Sequence, residues 1–158
     1  MRRLILAAAF IALTLGSAFA QTAAAPPAYG APISLADARR VLAAAVADAT
    51  RQNLPMAIAI VDSGGHLVAF ERMDSTQTGS ITVAIEKART AVAFRRATKA
   101  FEDAVQGGRN VILNLGVMPI EGGLLLLREG RIVGGIGVSG GTAPQDGVIA
   151  TAGVAALR

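Results

Sequence analysis

The chain has 158 residues, of which 53% are hydrophobic and 16% charged, which fits one globular domain with a core large enough to fold unaided. It has no cysteine, which excludes disulfides, iron–sulfur clusters, thiolate zinc sites and thiol catalysis. The formal charge is +4 with no block of like charges, so no nucleic-acid footprint is expected.

The opening stretch, MRRLILAAAFIALTLGSAFAQ, has the grammar of a secretory signal. Arg2 and Arg3 form a basic start, Leu4 to Leu15 an apolar run, and Ala18-Phe19-Ala20 a small-x-small cleavage site before Gln21. The apolar run is shorter than the roughly 20 residues that span a bilayer. Cleavage after Ala20 and export to the periplasm or exterior are therefore expected, without stable membrane insertion. Loss of Arg2 and Arg3 takes the 15 basic residues to 13, against 11 acidic ones. The Ala/Pro-rich stretch QTAAAPPAYGAPI, residues 21–33, is expected to be a disordered lead-in, with the folded domain covering 34–158.

Ser34-Leu-Ala-Asp37 resembles a capping box, and Leu35, Ala38, Leu42, Ala45, Val46 and Ala49 recur at helical spacing, predicting a helix over 35–51. Met56–Val61 is a continuous apolar run, a strand covered on both faces, and His66–Met73 is its return strand across the turn Asp62-Ser-Gly-Gly65. Helical spacing resumes after Gly79-Ser80 and runs to about residue 96, followed by a short helix over 99–106 that stops at Gly107-Gly108. A second hairpin pairs Leu124–Leu127 with Arg131–Val138, and a last helix covers about 144–157. The order α-β-β-α-α-β-β-α predicts an α+β fold, an antiparallel sheet of two hairpins with flanking helices.

Two motif matches fail on context. Gly135-Ile-Gly-Val-Ser-Gly140 fits a dinucleotide fingerprint, but the chain ends before the further strand and acidic residue that such a fold needs. Gly137-Val-Ser139-Gly-Gly141 fits a nucleophile elbow, but no histidine follows Ser139. Glu102-Asp103 are neighbours on a helix and point apart, so they do not share one reacting centre.

His66 is the only histidine in the chain. It is either an iron or metal ligand or a residue that opens a strand after a glycine turn. Glu71 and Asp74 would reach it only if the strand end curled back. The helix over 81–96 has a core stripe of Ile85, Ala88 and Val92, and nearly opposite lies a second stripe of Val83, Lys87, Thr90, Ala91 and Phe94. That second face is covered by a neighbouring subunit, by a flat ligand, or by the protein's own fold. Lys87, Arg89, Arg95, Arg96 and Lys99 surround the segment with cations that suit either carboxylates of a ligand, such as tetrapyrrole propionates, or structural ion pairs.

AIVDSGGHLVAFERMD, AIEKARTAVAFRRATKAFED, PIEGG and GRIVGGIGVSGGTAPQD, in that order, resemble the GlcG/HbpS family of haem-binding proteins, whose domain also forms the C-terminus of PduO-type cobalamin adenosyltransferases. The resemblance covers residues 34–158. It implies a profilin-like α+β domain, a homo-oligomer (octamers are common), haem or a related tetrapyrrole as ligand, and a sensor-protein partner in exported members. On this reading His66, Lys87, Arg89, Thr90, Phe94, Arg95 and Arg96 line or neighbour the haem pocket, and Thr90 and His66 are the candidate iron ligands. No acidic iron-binding motif lies in the lead-in. The different class of function is an enzyme or accessory protein of GlcG type, acting on a small oxidised metabolite, with Glu71, Arg72 and Glu121 in acid/base or anchoring roles. The absence of a nucleophile and of a metal cluster favours binding over catalysis.

Overall fold

The computed structural model describes residues 25–157. In chain order it contains α1 (Leu35–Arg51), β1 (Ala57–Asp62), β2 (Leu67–Arg72), α2 (Gly79–Phe94), α3 (Lys99–Gln106), a 3-10 helix (Asn110–Leu115), β3 (Gly123–Arg128), β4 (Arg131–Ser139) and α4 (Ala143–Ala155). The four strands form one antiparallel sheet in the order β2-β1-β4-β3. The expected α+β class and both hairpins are present. The 3-10 helix was not foreseen, because six residues offer too few turns for a periodicity to show.

The two faces of the sheet carry side chains of different size, and this sets where each helix sits. Along β1, Ile58 and Ile60 point to one face, packing with Val41, Ala45 and Ala49 of α1 and Ile149 and Ala150 of α4. Ala57, Ala59 and Val61 point to the other, where Ala84, Ala88 and Val92 of α2 lie on them. In β4 the alternation is sharper, with Ile136 and Val138 in the α1/α4 core and Gly135 and Gly137 under α2. A Cβ at Gly137 would stand 2.0 Å from the Ala84 carbonyl oxygen and 2.6 Å from the Ala88 nitrogen, so α2 rests backbone against backbone on the sheet. The sheet is thus covered by α1 and α4 on one side and by α2 on the other.

The lead-in corrects one expectation. The signal region lies outside the described residues, but the end of the 21–33 stretch is ordered rather than disordered. Gly30 N–H donates to the Ile132 carbonyl (2.7 Å), Ile132 N–H to Ala28 (2.8 Å) and Ile33 N–H to Val133 (2.8 Å), so the segment runs parallel to β4. Ile33 is 5% exposed, in the α1/α4 core. Its partners lie about a hundred residues away, which composition does not register.

Ser34 caps α1 by accepting from Asp37 N–H at 3.1 Å. Asp37 also receives Arg40 (2.5 Å) and, from the far end of β3, Arg128 (2.9 Å). The hydrogen bond from Arg128, helped by Ser34 and the charge of Arg40, holds the Asp37 carboxyl below its ordinary 3.8. A lowered folded value means the contribution is full above pH 3.8 and is lost as pH falls through the folded value. Asp37→Asn is therefore expected to flatten the acid loss of stability, read from melts between about pH 5 and about pH 2.

Candidate functional site

The turn between β1 and β2 builds itself from Asp62. Its Oδ1 accepts N–H bonds from Gly64 (2.8 Å) and His66 (2.9 Å), and Gly65 takes φ +85°, a conformation that favours glycine. Partial burial pushes the Asp62 carboxyl up, but the His66 and Gly64 N–H donors and the imidazole more than offset this and leave it below 3.8. The side chain of His66 is 84% exposed, with Nδ1 3.5 Å from Asp62 Oδ1. A carboxylate on the Nδ1 side leaves Nε2 open, which is the arrangement found behind many metal-bound histidines.

His66 stands at the mouth of a cleft of about 400 Å³, formed by the turn residues Ser63–His66, by Arg89, Val92 and Ala93 of α2, and by Tyr29. Arg89 spans the cleft wall, donating from Nε to the Gly65 carbonyl (3.3 Å) and pairing with Glu86 (2.8 Å). Tyr29, which no sequence pattern singled out, donates its hydroxyl to the carbonyls of Val92 (2.9 Å), which also accepts the Arg95 N–H, and Ala93 (3.2 Å), at the C-terminal end of α2. Only its place in the docked lead-in brings it there.

Two of the predicted site residues lie in the interior. Lys87 is 1% exposed, with Nζ 2.6 Å from Asp146 Oδ2 in α4 and 3.0 Å from the Val138 carbonyl, so it is not a cation free to meet a ligand. Thr90 is 4% exposed, and its hydroxyl accepts Met118 N–H at 3.0 Å, so within this chain it is not an open iron ligand. The second stripe of α2 is covered by the protein itself: α4 closes over Lys87, and the loop before β3 closes over Thr90.

Arg95 and Arg96 are sent in opposite directions. Arg95 ends α2 in the left-handed conformation (φ 54°), and its guanidinium lies 6.0 Å from the Tyr29 ring, beside the cleft. Arg96 turns the other way, over Phe101 at 5.7 Å, into a second cavity that Phe94 also lines. The seven predicted residues thus divide: His66, Arg89 and Arg95 at the cleft, Phe94 and Arg96 on the opposite flank, Lys87 and Thr90 in the interior.

Glu71 and Asp74 do not approach His66, because β2 stays extended and carries Glu71 to its far end, opposite Ile58. Among the described residues no group of three His, Asp or Glu side chains is placed to hold a metal ion. Glu71 and Arg72 lie together on the edge strand β2, while Glu121 precedes β3 on the opposite edge of the sheet, with β1 and β4 between them. No helix among the described residues is long and apolar enough to cross a membrane.

Fold and site together define an α+β domain with a candidate binding cleft: a sheet covered on both faces, with a histidine-bearing cleft along the end of one helix. The chain belongs to the family of haem-degrading, HbpS-like proteins, whose model matches residues 33–155. It is 39% identical over 103 residues to protein GlcG of Escherichia coli, covering 65% of this chain and 77% of GlcG. Among solved structures it is similar to the PduOC:haem complex (35% identity, TM-score 0.72, 79% of this chain and 94% of that one). It is similar also to a double mutant of Streptomyces reticuli HbpS (27% identity, TM-score 0.75, 97% of this chain and 99% of that one).

Proposed function

We propose that this protein binds haem, with His66 as the iron ligand and the Tyr29–Arg89 cleft as the seat of the macrocycle's edge. One observation carries the assignment: the single imidazole of the chain is exposed at a cleft, with Asp62 behind Nδ1 and Nε2 unobstructed. The lining suits such a ligand. Val92, Ala93 and the Tyr29 ring offer apolar and aromatic surface, and Arg89 and Arg95 bring positive charge to the rim for propionates. Bound here, haem supplies an iron centre whose potential and reactivity are tuned by its ligand and surroundings. Asp62 orients the imidazole, and Arg89, already tied to Gly65 and Glu86, meets a propionate with little further ordering. The resemblance of the chain to the haem-bound PduOC structure supports the reading.

A haemin titration followed by visible absorption tests it. The wild type is expected to give a saturable Soret shift, and His66→Ala to lose that shift with an affinity drop of about tenfold or more. Thr90→Ala is expected to keep the Soret position and only lower stability, since Thr90 holds the loop at Met118. An unchanged spectrum in His66→Ala with loss in Thr90→Ala would move the iron to the other flank of α2. Following the complex over hours separates retention of haem from its breakdown, the activity for which the family is named.

The same reading includes export, from the Arg2-Arg3 start and the Ala18-Phe19-Ala20 site, and assembly of several copies. Assembly rests on the family resemblance and on the edge strand β2, which is left without a strand partner on its outer side among the described residues. A sensor protein is the partner class that an exported haem binder would inform. Mass analysis of the secreted chain, with residue 21 first, and light scattering of the purified protein check the first two points.

A further inference from the structure

We infer that the second cavity, on the opposite flank of α2, is a binding site for a small carboxylic acid with an aromatic or branched apolar body. The cavity is about 200 Å³ and lies between the end of α2, α3 and the 3-10 helix. Its apolar part is Phe94, Phe101, Ile112 and Leu115, with the two rings edge to face at 5.3 Å. Its polar part is two guanidinium groups, Arg96 and Arg109.

Neither arginine has a carboxylate within 4.0 Å among the described residues, although acids are close in sequence. Those acids are engaged. Lys99 takes Asp103, while Glu102 accepts from Gln106 and from the Glu121 N–H. Arg96 is held in place by its Nε bond to the Phe94 carbonyl (3.2 Å) and by the Phe101 ring, and its terminal nitrogens make no hydrogen bond among the described residues. A stacked arginine alone is an ordinary surface feature. Two unpaired guanidinium groups at the rim of one apolar cavity go further: they match a carboxylate, which takes arginine side on, attached to a body that fills the ring-lined space.

Size decides the class of that body. The cavity falls below the roughly 300 Å³ at which drug-sized sites begin, so it takes one ring or a short branched chain and is too small for a tetrapyrrole. The site is therefore distinct from the His66 cleft and does not rest on the haem proposal.

Phenylacetate is the probe, titrated into the protein with amide NMR shifts as readout. Saturable shifts at Phe101, Ile112 and Leu115 are expected with a dissociation constant of about 1 mM or tighter. The uncharged phenylacetamide is expected to bind at least about tenfold more weakly, and Arg109→Gln and Arg96→Gln each to cost phenylacetate about tenfold, with the melting temperature unchanged in Arg109→Gln and the fold retained in both. Absence of saturable shifts at these residues, equal binding of acid and amide, or full affinity in both variants would overturn the site. Displacement of phenylacetate by haemin would overturn its separateness, while haemin binding with phenylacetate still in place supports it. His66→Ala is expected to leave phenylacetate binding intact.

Discussion

Lys87→Met is expected to destabilise the protein by about 3–5 kcal/mol, while the double change Lys87→Met with Asp146→Leu recovers most of that loss. The pair is buried on both sides, and the two charges bridge α2 to the start of α4 at 2.6 Å, with Val138 and Gly141 supplying further hydrogen bonds. Removing the ammonium alone leaves a carboxylate without its counter-charge in a dry site, the costly half of the cycle. Against a total stability of about 5–15 kcal/mol, that is enough to unfold part of the population at physiological temperature. Urea denaturation of the four members of the cycle checks it, and equal losses in single and double variants would show that the pair is not coupled.

The pH dependence gives a second, independent reading of the same pair. Burial pushes the Asp146 carboxyl above its ordinary 3.8, and the hydrogen bond and charge of Lys87 only partly pull it back. A folded value above the unfolded one contributes stability that is full below pH 3.8 and is lost as pH rises through the folded value. Without Lys87 the folded value rises further. The deficit of Lys87→Met is therefore expected to shrink in acid, where Asp146 takes up a proton, and to be largest at neutral pH.

Gly137→Ala is the second large effect, with an expected cost of about 3 kcal/mol or more, at the upper end of overpacking. The added methyl would land on the hydrogen bond between the Ala84 carbonyl and the Ala88 N–H inside α2. Backbone on both sides cannot turn away as a side chain can, so the helix must lift from the sheet, and with it the Val92–Ala93 floor of the cleft. Gly79→Ala is the control: at the first residue of the same helix a Cβ meets nothing within 4 Å, and a gain of up to about 1 kcal/mol is expected from helix propensity. Haemin affinity should fall in Gly137→Ala and hold in Gly79→Ala.

Much of the architecture is legible from local pattern. The spacing of Ala38, Leu42, Ala45 and Ala49, the Asp62-Ser-Gly-Gly65 turn and the two hairpins each depend on neighbours within a few residues, and each appears as expected. The small-large alternation of AIAIVD and GGIGVS gained its meaning only from the packing, which puts α2 on the small side. The candidate site was legible only in part. His66 and Arg89 meet at one cleft because a local turn and a helix bring them there. Lys87 and Thr90 were misplaced because what covers them is 59 and 28 residues away, and a helical stripe does not say who its partner is. Tyr29 was missed because the lead-in has the composition of a linker, while its hydrogen bonds are to α2 and β4.

By itself, then, the sequence determined the elements, the turn that presents His66, the absence of any thiol chemistry and the family to which the chain belongs, since all of these are set by residue type and short-range spacing. Tertiary structure alone decided which of the cations around α2 are free. Closing α4 over Lys87 neutralises one in the interior, and the left-handed turn at Arg95 sends that residue to the cleft and Arg96 to the other flank. Whether a charged side chain is a structural ion pair or a ligand contact depends on what burial brings within a few ångströms of it, and that is a property of packing across the whole chain.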